Sequence, residues 1–159
     1  MPSEQLTGRF DQGLLLGGLI GTTWIATLII GLRLEFDQLS AVVVLAMILV
    51  RSYVHTGLFI VAHDAMHNSL IPDKQGLNHF VGRICLWCYA GLDYDYCRTM
   101  HRQHHLSPES ENDPDFFPSE KQDFGAWLIH FLSKYLNPAQ LFRLCLLLIV
   151  LVTLTPIEY

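Results

Sequence analysis

Gly13 to Leu32 (GLLLGGLIGTTWIATLIIGL) is twenty residues without a charge. This run constrains the fold more than any other feature. At about 1.5 Å per residue it covers about 30 Å, the hydrocarbon thickness of a bilayer. It is a poor secretory signal, because Glu4, Arg9 and Asp11 precede it instead of a basic cluster, and the run is long for a signal core. It therefore reads as a first transmembrane helix.

Ala41 to Ala62 is apolar apart from Arg51, Ser52, His55 and Thr56 and reads as a second span. The connection, Arg33 to Ser40, is short, so the two helices form an antiparallel hairpin. Arg51 lies mid-span and has to face protein or water, either in a functional role or as a structural ion pair. Leu141 to Thr155, broken only by Arg143, reads as a third, shorter span entered near Pro138. Phe80 to Leu92 is apolar but has 13 residues and contains Arg83, so it suits an interfacial or re-entrant helix. Gly125 to Leu136 is amphipathic and aromatic. Ser107 to Ser119 carries the prolines and acids of a loop. The expected fold class is all-α: an integral membrane protein of about three transmembrane helices plus interfacial helices, in a single domain over residues 1–159.

Composition sharpens this reading. With 51% hydrophobic and 16% charged residues, global disorder is excluded. A net charge of −5 and the lack of a basic stripe exclude a nucleic-acid partner. Lys74, Arg83, Arg98, Arg102 and Lys121 fall within residues 63–125, whereas the 33–40 connection holds only Arg33. Positive charge follows the cytoplasm, so the 63–125 half is expected there, in a multi-pass protein. Four cysteines are too sparse for a disulfide scaffold. Cys85 and Cys88 form a C-x-x-C without a second pair, which favours buried thiols over a zinc or redox site.

Five of the eight histidines fall in two clusters. His63-Asp64-Ala65-Met66-His67 is an H-x3-H, and His101-Arg102-Gln103-His104-His105 is an H-x2-H-H. On a helix, residues three or four apart share a face. His63 and His67 should therefore point one way, and His101, His104 and His105 should likewise share a face. Imidazoles so presented can ligate iron, zinc or copper. His55, His79 and His130, taken singly, read as ordinary interfacial residues. HDAMH lacks the glutamate of a zinc protease helix, and the Glu-x-x-His repeats of a carboxylate di-iron bundle are absent.

Two such boxes between membrane spans resemble the membrane fatty acid desaturase/hydroxylase superfamily. HDAMHNSLIP, LNHFVGRICLWCYAGLDY and HRQHHLSPESENDPDF are similar to its β-carotene ketolase branch. The similarity runs over residues 14–155 and is most specific over 57–117. The resemblance implies a partial desaturase-like di-iron fold in which two irons activate O2 and C4 of a β-ionone ring becomes a ketone. It implies metal ligation by His63, His67, His101, His104 and His105, with His79 as a further ligand or a support for one. Asp64, Asp113 and Asp115 would hold the far nitrogens of ligating imidazoles. It also implies a carotenoid substrate drawn from the bilayer and an external electron donor such as ferredoxin, since no flavin, haem or nucleotide motif is present. An acyl-lipid desaturase or a carotenoid ring hydroxylase would use the same boxes. The superfamily has a third H-x2-H-H box, whereas only His130 follows His105 here. The expectation is thus an N-terminal portion of such an enzyme, or an inactive membrane fragment, unable alone to hold both irons.

Overall fold

The computed structural model describes residues 3–117 and 123–154, with side chains described over 12–117 and 123–153. Among these residues six α-helices follow one another: α1 (Ser3–Arg33), α2 (Ala41–Met66), α3 (Gln75–Ala90), α4 (Tyr94–Leu106), α5 (Phe124–Tyr135) and α6 (Pro138–Leu154). No strand occurs among the described residues, and the all-α expectation holds. A short 3-10 turn at Phe36–Gln38 links α1 and α2.

Among the described residues, two stretches are long and apolar enough to cross a membrane, Gln12–Arg33 and Ala41–Met66. Both lie where the sequence placed them. Most of their leucines, isoleucines and valines stay outward, apart from Leu58 and Val61 near the end of α2; Leu15 is 74% exposed and Val42 77%. That pattern suits hydrocarbon, not water. The expected third span is altered. α6 does not qualify alone; α5 and Pro138–Thr153 qualify only together, and they meet at a 78° bend. Leu136, Asn137 and Pro138 break the helix there, because proline lacks the N–H that continuation would need.

Hydrocarbon offers no hydrophobic drive between spans, so polar links carry much of α1–α2 pairing. Arg51 donates to the Trp24 carbonyl at 2.8 Å and to Thr27 Oγ1 at 2.9 Å. Its guanidinium also lies 4.8 Å from the Trp24 ring centre. Its partners are a carbonyl, a hydroxyl and a ring instead of the expected acid. The Trp24 indole N–H donates to His55 Nδ1 at 3.0 Å. His55 Nε2 must then carry the proton, and it donates to the Tyr89 carbonyl at 2.7 Å.

The core lies where α2, α3 and α4 meet. Leu58, Val61, Ala62, Ala65 and Met66 of α2 pack with Leu70, Ile71, Cys85, Leu86, Tyr94 and Cys97. Asn78 of α3 is wholly buried among them and bonds the turn that follows α2. α3 begins earlier than Phe80 because Gln75 to His79 complete its first turn. It ends at Gly91, whose φ of 64° is a left-handed cap that glycine adopts without strain. Asp93 then caps α4 by accepting the Tyr96 N–H at 2.9 Å. Arg83 and Asp95 pair across α3 and α4 at 3.0–3.2 Å. All four cysteines are free thiols, with Cys85 and Cys97 buried. Burial pushes both up to about 11, which keeps them protonated and poor metal ligands.

Candidate metal centre

α2 runs one turn past Ala62, so His63 is helical and His67 caps the C-terminus. This extension carries the first box beyond the apolar run. α4 carries the whole second box. α3 folds back between them and sets the two boxes face to face.

Four imidazoles converge. One ring nitrogen from each of His63, His67, His101 and His105 lies within 4.8 Å of the other three. His101 Nε2 sits 2.8 Å from His67 Nε2 and 3.1 Å from His105 Nε2. The ring centres of neighbouring members are 4.5–5.0 Å apart, with the rings turned edge to face. Burial, then the neighbouring His63, His105, His67 and His104, pushes His101 down to about 4. Burial and the His63 and His105 rings also lower His67. Both imidazoles are thus held neutral near pH 7, the form that ligates metals.

The donor set suits a metal ion. Ligand nitrogens at about 2.0–2.1 Å from an ion are separated by roughly 3 to 4 Å. The observed separations, from 2.8 Å to at most 4.8 Å, bracket that arrangement. Nitrogen-only ligation suits iron, copper or zinc better than magnesium or calcium.

His104 does not join the four, which corrects the expectation of one shared face. Successive helical residues turn by about 100°, so His101 and His105 nearly align while His104 swings away. Its Nδ1 faces the Asp113 carboxylate at 3.0 Å and Asp115 Oδ2 at 3.7 Å. These three residues form a separate cluster. Asp64 lies beside the quartet, 3.4 Å from His63 Nδ1. His79 stands outside both groups, with Nδ1 3.2 Å from the Tyr94 hydroxyl. His130 lies against Phe117 with the rings tilted by 44°, and both ring nitrogens of His55 are engaged in helix pairing.

A cavity of about 390 Å3 opens beside the quartet, lined by Met66, His67, Asn68, Arg98, His101, Arg102 and His105. A more apolar cavity of about 510 Å3 between α1 and α2 extends to Arg51. Along α2 that residue is about 18 Å from His63, so this cavity is not part of the histidine site.

Sequence reasoning missed Asn78. Its amide oxygen accepts the Ile71 N–H at 3.0 Å, and its Nδ2 donates to the carbonyls of Ile71 and Lys74. It thereby fixes the turn directly after His67, in which Asn68 and Asp73 adopt φ of 56° and 62°. The signal was present in LNH, where attention went to His79; a lone asparagine in an apolar helix needs buried partners.

Residues 39–158 match the family Fatty acid desaturase. The chain is 31% identical over 156 residues to a β-carotene ketolase of Paracoccus sp. (strain N81106 / MBIC 01143), covering 96% of this chain and 59% of that relative. It is 36% identical over 100 residues to β-carotene 4-ketolase 3 of Haematococcus lacustris, covering 62% of this chain and 31% of the relative. It is 29% identical over 122 residues to the zeaxanthin 4-ketolase of Chlamydomonas reinhardtii, covering 76% and 27%. The chain thus spans less than two thirds of the length of each of these relatives. No solved structure matches it.

Proposed function

The chain belongs to the fatty acid desaturase family, and from that premise we propose that it serves an iron-dependent, O2-using carotenoid ketolase. The observation that carries the reading is the meeting of both histidine boxes at one point just beyond the end of an apolar helix. Its relatives, a β-carotene 4-ketolase and a zeaxanthin 4-ketolase, point to the 4-position of a carotenoid ring as the reacting carbon.

In this reading His63, His67, His101 and His105 hold one iron, and His104 serves a second from its separate position. Bound iron supplies the activation of O2. Two successive hydroxylations at C4 and loss of water leave the ketone, each taking two electrons from an outside donor such as ferredoxin. The chain's own residues hold neutral imidazoles in place and set them beside the bilayer, from which an apolar substrate arrives. The protein is multi-pass, with its histidines on the cytoplasmic side. Asp64 steadies His63, and His79 supports Tyr94.

Expression in a β-carotene-producing host, with pigment analysis, tests this. Ketocarotenoid that disappears in His101→Ala supports it. New acyl double bonds, or ring hydroxyl without ketone, would move the assignment to a desaturase or hydroxylase. Absence of product together with absence of iron in the purified chain would leave a non-catalytic membrane protein.

A further inference from the structure

We infer that Asp113 is a positioning residue: its carboxylate fixes His104 as the Nδ1–H tautomer and leaves Nε2 as the ring's one lone pair, available to a metal ion. The tautomer follows from geometry alone; the metal part rests on the function proposed above.

The carboxylate is a built feature and not a chance neighbour. Asp113 is 6% exposed although it sits in a loop of acids and prolines. Its Oδ2 accepts the Glu109 N–H at 2.9 Å, and its Oδ1 accepts the Asp115 N–H at 2.9 Å. Both oxygens also lie 3.0 Å from His104 Nδ1. Glu109 adopts a φ of 56° to bring its N–H inward, a conformation that costs a non-glycine residue energy. The loop therefore wraps around this carboxylate and aims it at one nitrogen.

Two consequences follow. A carboxylate has about four lone-pair positions and, when ionised, donates nothing. Two backbone N–H groups and one imidazole contacting both oxygens use those positions, so Asp113 has little capacity left to ligate a cation. The facing nitrogen must carry the proton, because two acceptors cannot bond. In the neutral ring His104 Nε2 is then the unprotonated nitrogen, and it lies on the side of the ring away from Asp113. A ligating imidazole held through its other N–H is the usual way a metal site fixes ring orientation. Asp115 plays a lesser part. It lies farther from Nδ1, at 3.7 Å, and its Oδ1 is drawn toward the Tyr135 hydroxyl at 3.5 Å.

The competing account is a purely structural one, in which His104 merely anchors the loop. Long-range nitrogen–proton NMR of the full chain, labelled with 15N-histidine and chelator-treated in detergent micelles, separates the two. The expected spectrum has His104, assigned with His104→Gln, in the Nδ1–H form. That signature survives Asp115→Asn and is lost in Asp113→Asn. Finding His104 as the Nε2–H form in the unmodified chain would overturn the inference without recourse to any variant. Zn2+ then serves as a diamagnetic probe. Direct ligation shifts the His104 Nε2 resonance, and Asp113→Asn raises the Zn2+ needed by about 10–100-fold. A His104 resonance unmoved while the quartet responds would leave an anchor only. If neither responds, the proposed function fails while the tautomer assignment stands.

Discussion

Asn78 and Ile71 exchange two hydrogen bonds: the Ile71 N–H donates to Asn78 Oδ1 at 3.0 Å, and Asn78 Nδ2 donates to the Ile71 carbonyl at 2.6 Å. The pair is buried, and Ile71 lies four residues after His67. Asn78→Leu keeps the volume but strands the Ile71 N–H, while the Ile71 carbonyl keeps the Lys74 N–H at 3.3 Å. A buried group left unsatisfied costs about 1–3 kcal/mol. Unfolding in micelles should show a loss in that range or above it, together with weaker Zn2+ binding by the quartet. Asn78→Asp, which keeps an acceptor, should fall between. A leucine variant as stable as the parent would mean that water replaces the amide.

α3 and α4 touch through a missing side chain. A Cβ on Gly82 would lie 2.1 Å from Tyr94 Cε2, and Tyr94 is 3% exposed with little room to retreat. Gly82→Ala should cost about 1–3 kcal/mol through overpacking. Gly76→Ala on the same helix meets nothing within 4 Å and should be neutral or stabilising by up to about 1 kcal/mol. Paired thermal melts decide it; equal melting temperatures would contradict the close contact.

The metal-free chain should lose stability on the acid side. His101 is lowered from 6.5 to about 4, by burial first and then by its neighbouring imidazoles. Below pH 6.5 the unfolded chain takes up a proton that the folded chain refuses, so folding stability falls as pH drops from about 6.5 to about 4. Above pH 6.5 both states are neutral and this group adds no slope. Denaturant titrations at several pH values should show the decline, and His101→Phe should flatten it. An unchanged slope in that variant would assign the effect elsewhere.

Cys85 of the C-x-x-C, and Cys97, should behave as packed thiols. Burial, with Cys88 nearby, pushes Cys85 up to about 11, and burial does the same for Cys97. At pH 8 such a thiol is about 0.1% thiolate, against about a quarter for an ordinary one. Maleimide should therefore label both roughly 100-fold more slowly than in denatured chain. Cys85→Ala should leave Zn2+ binding unchanged; a lost equivalent of zinc would return the pair to the metal site.

Hydropathy and helical period made part of this molecule legible. The two spans are visible in their uninterrupted apolar runs, and the His63/His67 and His101/His105 pairings follow from four-residue spacing. His104 was not legible, because spacings of three and four were treated as one face while they differ by about 100°. Its partner is set by the 107–117 loop, whose course depends on the buried Asp113 and not on any period. The α5–α6 bend was likewise hidden. Mean hydropathy registers the apolar content of a segment but not the break before Pro138.

The quartet also sets an order of events. His63 and His67 emerge from the ribosome before α3, and His101 and His105 after it. An ion meeting the young chain finds two imidazoles, which hold metal weakly. Closing the 34-residue separation between His67 and His101 costs on the order of 3 kcal/mol of chain entropy. Packing of α3 against α2, with Asn78 seated under Ile71, offsets that cost before any ion arrives. A metal ion would therefore be expected to load late, on a pocket already shaped. Chelation should empty that pocket without unravelling the helices around it, unlike domains whose folding waits for zinc.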